Sequence, residues 1–159
     1  MKKLLAACLI ALCGFAVSAS AELQITTDGR SVAFGAMKPG ETKTLSERGA
    51  YHNQITCTST GGSRWYLRID LTGPLGSGAN SIPLDSFAWH LVDSNGTGTI
   101  HATQFTPFAT APLLAYTAGA DELQGRPVTL QFRYQLRLPS RQVAGTYNTT
   151  IRYTISEEL

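Results

Sequence analysis

Val128-Thr129-Leu130-Gln131-Phe132-Arg133-Tyr134-Gln135-Leu136-Arg137-Leu138 alternates without a break. Every even position is apolar or aromatic, and every odd position is polar. Successive side chains of an extended chain point to opposite faces, so this stretch reads as a strand with one buried face. Positions three apart would share one side of a helix, and here they always differ in kind.

The same pattern recurs outward from this stretch. Over 146–156, Tyr147, Thr149, Ile151, Tyr153 and Ile155 share one face, and Thr146, Asn148, Thr150, Arg152 and Thr154 share the other. Trp65, Leu67, Ile69 and Leu71 alternate with Arg64, Tyr66, Arg68 and Asp70. Phe87, Trp89 and Leu91 alternate with Ala88, His90 and Val92. Tyr51, Ile55 and Cys57 fall on one face ahead of Gly61-Gly62, which places Cys57 in the core. Weaker strands are read over 22–27, 31–36 and 113–117. Asp28-Gly29, Pro39-Gly40, Gly73-Pro74 and Asn95-Gly96 punctuate the runs, and Asn95-Gly96 predicts a tight hairpin. The Gly/Ser-rich stretch 72–83 is read as a mobile loop, and 101–112 as irregular. Short strands at this spacing predict an all-β chain, a sandwich of about seven strands or a small barrel.

Composition agrees with this. Hydrophobic residues make up 43% of the 159, enough for a core, and charged residues only 15%, against about 25% in an average domain. The 19 threonines suit strand surfaces. Met1-Lys2-Lys3, an uncharged apolar run over 4–17, and the small residues Ala19 and Ala21 before Glu22 read as a cleaved secretory signal, residues 1–21. A lipid-anchor reading at Leu5-Ala6-Ala7-Cys8 leaves too few apolar residues before the cysteine. The expected mature domain is 22–159, exported to the periplasm, the cell surface or beyond. Thirteen basic residues face eleven acidic ones, and the charges balance once Lys2 and Lys3 leave with the signal. A nucleic-acid partner would call for a basic excess.

Candidate chemistry is sparse. His90 and His101 with Asp93 could meet across a hairpin at Asn95-Gly96, but no tight metal spacing is present, and His52 stands apart. Asp93-Ser94-Asn95-Gly96 lacks the remaining ligands of a calcium loop. Asp121-Glu122, bounded by Gly119 and Gly125, reads as a solvated turn. No serine sits in a GxSxG elbow, and no glycine loop for phosphate is found. Cys57, the one cysteine after the signal, has no basic neighbour to activate it. Trp65 and Trp89 belong to apolar strand faces and read as core. Tyr66, on the opposite face, is a surface-contact candidate. Neither an enzyme nor a cofactor is indicated.

Val32-Ala33-Phe34-Gly35, Pro39-Gly40 and Gln54-Ile55-Thr56-Cys57, with the closing Val143-Ala144-Gly145-Thr146-Tyr147 and Tyr153-Thr154, resemble bacterial pilin-type domains. The comparison is with the spore coat protein U-like group, which includes archaic chaperone–usher pilus subunits; WxL-type surface domains share the closing strand. The likeness covers the two ends of the mature chain. It implies an immunoglobulin-like sandwich with Tyr147 as its corner tyrosine, lacking a last strand, and a fimbrial or coat subunit in adhesion. Its partners would be other subunits or a periplasmic chaperone, joined by strand pairing. The chain departs from that pattern in two ways. Cys57 has no partner for the usual disulfide, and only 22–28, with Leu23 and Ile25, precedes the first core strand. The resemblance therefore implies a tip or accessory subunit, or else a complete sandwich with 22–27 as an edge strand. The alternative function is a self-contained exported binding domain for glycan or cell wall.

Overall fold

A computed structural model describes residues 22–46 and 50–159. The expected signal, with Ala19 and Ala21, lies outside them. The described chain forms twelve strands: β1 (Leu23–Thr27), β2 (Thr42–Leu45), β3 (Asn53–Ser59), β4 (Tyr66–Leu71), β5 (Leu75–Ser77), β6 (Asn80–Ile82), β7 (Phe87–Ser94), β8 (Thr99–Ile100), β9 (Thr106–Pro107), β10 (Leu113–Thr117), β11 (Val128–Arg137) and β12 (Ile151–Ser156).

The strands build two antiparallel sheets that face each other. The first runs β1-β3-β11-β7-β9, with β2 continuing the line of β3 along β11. The second runs β12-β4-β10-β8. β5 and β6 form a separate hairpin. Alternation in β11 decides the register, because a slip of one residue would turn its apolar set to solvent. Val128 lies opposite Cys57 on β3, and Tyr134 opposite Trp89 on β7. Their inward side chains form the core with Ile55, Leu67, Ile69, Leu91, Leu130 and Phe132, all essentially inaccessible to solvent. Each such side chain contributes about 1.5–3 kcal/mol by leaving water. The sheets meet directly where the Phe132 ring of β11 lies edge-on to Tyr153 of β12, 5.5 Å between centres.

The all-β sandwich matches the periodicity, and four local expectations are corrected. The number of strands exceeds seven, because short segments (β2, β5, β6, β8 and β9) lack a readable alternation. The stretch 72–83 is not structureless; it carries the β5–β6 hairpin, paired Leu75 to Ile82. Residues 31–36 form no strand, although Phe34 is buried against Phe87. Asn95-Gly96 is not a hairpin turn, because β7 and β8 belong to different sheets. Gly96 lacks the positive φ that such a turn needs. Asn95 instead ties the crossover to β11, its side-chain Oδ1 accepting from the Thr129 N–H at 2.7 Å.

Candidate functional site

β12 stands at the edge of the second sheet. Among the described residues it pairs only with β4, so its other edge offers unpaired backbone groups. Arg152 and Asp70 hold it to β4 through a two-point ion pair, with Nε 3.1 Å from Oδ1. Alternation puts Ile151, Tyr153 and Ile155 inward, yet all three are only half-buried, whereas Leu67 and Ile69 on the neighbouring strand are fully buried. The inward face of β12 is incompletely covered.

Ahead of β12 the backbone follows the neighbouring segment irregularly. Asn148 and Gly76 exchange two bonds of 3.0 Å, and the Thr72 N–H donates to the Thr150 carbonyl. Tyr147 turns the chain into this run. Its hydroxyl donates to the Val143 carbonyl at 2.6 Å and accepts from Gln142 Nε2 at 2.7 Å. That bond to backbone four residues upstream is the geometry of a tyrosine corner. Gly145 fits closely there: a Cβ would come 2.6 Å from Ser77 Oγ, and the serine would have to shift.

The facing wall is the segment 29–39. Its bend needs Gly35, at φ +66°, and Lys43 Nζ anchors it on the Phe34 carbonyl at 2.5 Å. His52 Nε2 donates to the Ser31 carbonyl at 3.1 Å. Between the walls lies a groove of about 1070 Å³. Val32, Phe34, Met37, Leu138 and Ile151 give it apolar surface, and Arg30, Ser31, Gln142, Asn148 and Thr149 line it as well. Asn53 and Tyr153 make one part polar. The buried Tyr134 hydroxyl donates to Asn53 Oδ1 at 3.0 Å, Asn53 Nδ2 donates to the Tyr153 hydroxyl at 3.4 Å, and the two tyrosine hydroxyls touch. Burial pushes both phenols above their ordinary pKa, so they remain hydroxyl groups at neutral pH.

A second polar cluster corrects the reading of Asp121-Glu122 as a solvated turn. Glu122 is fully buried. Its carboxylate accepts from the backbone N–H groups of Thr97, Gly98 (3.1 Å) and Gly119 (2.9 Å), and from the Tyr116 hydroxyl (2.9 Å). Asp121 alone stays outside, paired with Arg126. The glycines explain the geometry. A Cβ at Gly96 would lie 2.3 Å from Glu122 Oε1, and one at Gly119 would lie 2.4 Å from Thr97 Oγ1. The available signal was this spacing of Gly96, Gly98, Gly119 and Glu122, in which small residues let backbone donors close on a carboxylate. The cluster locks the crossover between the sheets.

Trp65, Trp89 and Cys57 are fully buried. Burial pushes the Cys57 thiol up to about 12, so it stays protonated and unreactive. Tyr66 is half-buried on the outer face of β4, opposite Ser156 and Thr117. His90 lies on β7 of the first sheet, His101 just past β8 of the second, and Asp93 is exposed beside Gln131. No group of three His, Cys, Asp or Glu side chains comes together among the described residues.

His90 instead accepts from Arg133 Nε at Nδ1, 3.0 Å, and lies edge-on to Phe105, which also carries the Arg133 guanidinium over its ring. That hydrogen bond needs an unprotonated Nδ1. Burial first, and the Arg133 charge second, hold the imidazole below its ordinary 6.5. An unfolded chain takes up this proton more readily, so the contribution is present above about pH 6.5 and is lost as pH falls. The melting temperature is therefore expected to drop between pH 7 and pH 5, and to drop less in His90→Gln. Equal slopes for the two proteins would remove His90 from the account.

A scan against protein-family models finds no match for this chain, and a search of curated proteins finds none either.

Proposed function

We propose that this chain is an exported cell-surface subunit, pilus- or coat-like, that acts by accepting an extended segment of another protein at the open edge of β12. One observation carries the proposal. β12 has no strand on its outer edge among the described residues, while its inward side chains stand half-covered beside a long groove lined in part by apolar side chains. Unpaired strand edges are templates for a further strand, and such an addition supplies main-chain bonds together with pockets for alternate side chains.

Strand order supports the same reading. The order β1-β3-β11-β7 can be aligned with the A-B-E-D sheet of an immunoglobulin-like sandwich and β12-β4 with its F-C pair, and on that alignment no described strand stands at the G position beside β12. The tyrosine at 147 falls at the corner before F, where that architecture places one. The pilin-type resemblance of the two ends points to an assembly role.

The test is the mass of the purified processed chain by light scattering, followed over time and concentration. Ladders or large assemblies that dissolve into a 1:1 complex on addition of an alternating apolar peptide are expected. A monomer that stays monomeric at all concentrations and ignores the peptide would contradict the proposal.

A further inference from the structure

The polar part of the groove remains to be explained. A groove that served only to bury apolar side chains would gain nothing from an amide and a hydroxyl in its lining. Asn53, Tyr134 and Tyr153 close a ring of hydrogen bonds, from Tyr134 to Asn53, from Asn53 to Tyr153, and between the two hydroxyls. The ring satisfies each hydroxyl. It leaves the second hydrogen of Asn53 Nδ2 with no acceptor among the described residues, although Asn53 is only 4% exposed. A buried donor without a partner is costly, and an occupant that supplies an acceptor is preferred over one that does not.

Register makes that preference useful. A strand sliding by one residue in the groove turns its apolar face outward and is rejected by burial alone. A strand sliding by two residues keeps its apolar face inward, so hydrophobic contact cannot tell the two registers apart. A buried polar contact at one inward position can, as a lone buried polar residue does in coiled coils.

We infer that the Asn53–Tyr134–Tyr153 ring is a register pin, and that the segment this groove accepts carries serine or threonine at the one inward position meeting Asn53 and Tyr153, with apolar side chains at its other inward positions. A hydroxyl there accepts the free Asn53 N–H and donates to the remaining lone pair of Tyr153. A leucine or valine at the same place seals the donor from water without replacing it. The inference rests on the strand-accepting function proposed above and specifies the chemistry of the partner.

The test uses nine-residue peptides with valine at every inward position and glutamine or lysine at the outward ones. Each valine is replaced in turn by the near-isosteric threonine, and affinities are measured by calorimetry against the purified protein. Threonine is expected to bind about tenfold more tightly at one position and more weakly at all others. Asn53→Leu should abolish or reverse that one preference while leaving the rest unchanged. If that variant fails to fold, the peptide series on the unaltered protein decides alone. Valine preferred at every position overturns the register pin and leaves the strand-accepting function standing. Binding of no peptide in the series overturns both.

Discussion

Replacing Glu122 by alanine is expected to lower the free energy of unfolding by about 3–5 kcal/mol, because several buried donors lose their acceptor at about 1–3 kcal/mol each, partly relieved by relaxation. The side chain is fully buried and gathers donors from three parts of the chain, at Thr97–Gly98, Tyr116 and Gly119. Alanine leaves those donors facing each other across a space with no acceptor. A loss of this size takes a large share of the 5–15 kcal/mol typical of a domain. Glu122→Gln should cost less, because its carbonyl oxygen still accepts while its NH₂ opposes only some of the donors. The measurement is a urea unfolding curve, with the midpoint lowered and the slope unchanged. A loss below about 1 kcal/mol for alanine would show that the carboxylate does not hold the crossover.

The two tryptophans give the second large effect. Trp65→Ala and Trp89→Ala should each cost about 3–5 kcal/mol, since both rings are fully buried. Phenylalanine separates them. Trp65 Nε1 donates to the Glu122 carbonyl at 3.2 Å, so Trp65→Phe removes a bond and leaves that oxygen unpaired. Trp89 Nε1 is buried with no acceptor among the described residues. Trp89→Phe therefore deletes an unsatisfied donor along with some volume, and the gain from the first partly offsets the loss from the second. Trp65→Phe should be the more destabilising by about 1–2 kcal/mol. The reverse order in matched denaturation curves would show that volume alone governs both sites.

How far the sequence can be read follows from what each signal depends on. β11 was legible because alternation is a local property, and its inward residues from Val128 to Leu136 are buried as the pattern predicts. β12 carries the same alternation, but Ile151, Tyr153 and Ile155 are only half-buried. Periodicity tells which face turns inward; the neighbouring strand decides how well that face is covered. The groove was therefore hidden in a pattern that looked like an ordinary core strand. Asn95-Gly96 failed for a related reason. Local turn chemistry does not record that the next strand belongs to the other sheet, where Glu122 gathers the backbone of Thr97 and Gly98. Glu122 reads as a turn residue because its partners are mostly backbone groups, and only the spacing of Gly96, Gly98 and Gly119 hints at them. Asn53 joined the polar ring for the same reason: its tyrosine partners are 81 and 100 residues away.

The open edge of β12 is tested most directly by a thermal melt of the purified protein with and without an alternating apolar strand peptide. A scrambled peptide of the same composition serves as the control. A ligand that binds only the folded chain stabilises it by about 2.7 kcal/mol at a concentration one hundred times its Kd. For a domain of this size that corresponds to a rise in Tm of about 5–10 °C. The account predicts that rise for the alternating peptide and none for the scrambled one. A cooperative melt at one unchanged temperature, up to the solubility limit of both peptides, would mean that the sandwich needs no further strand.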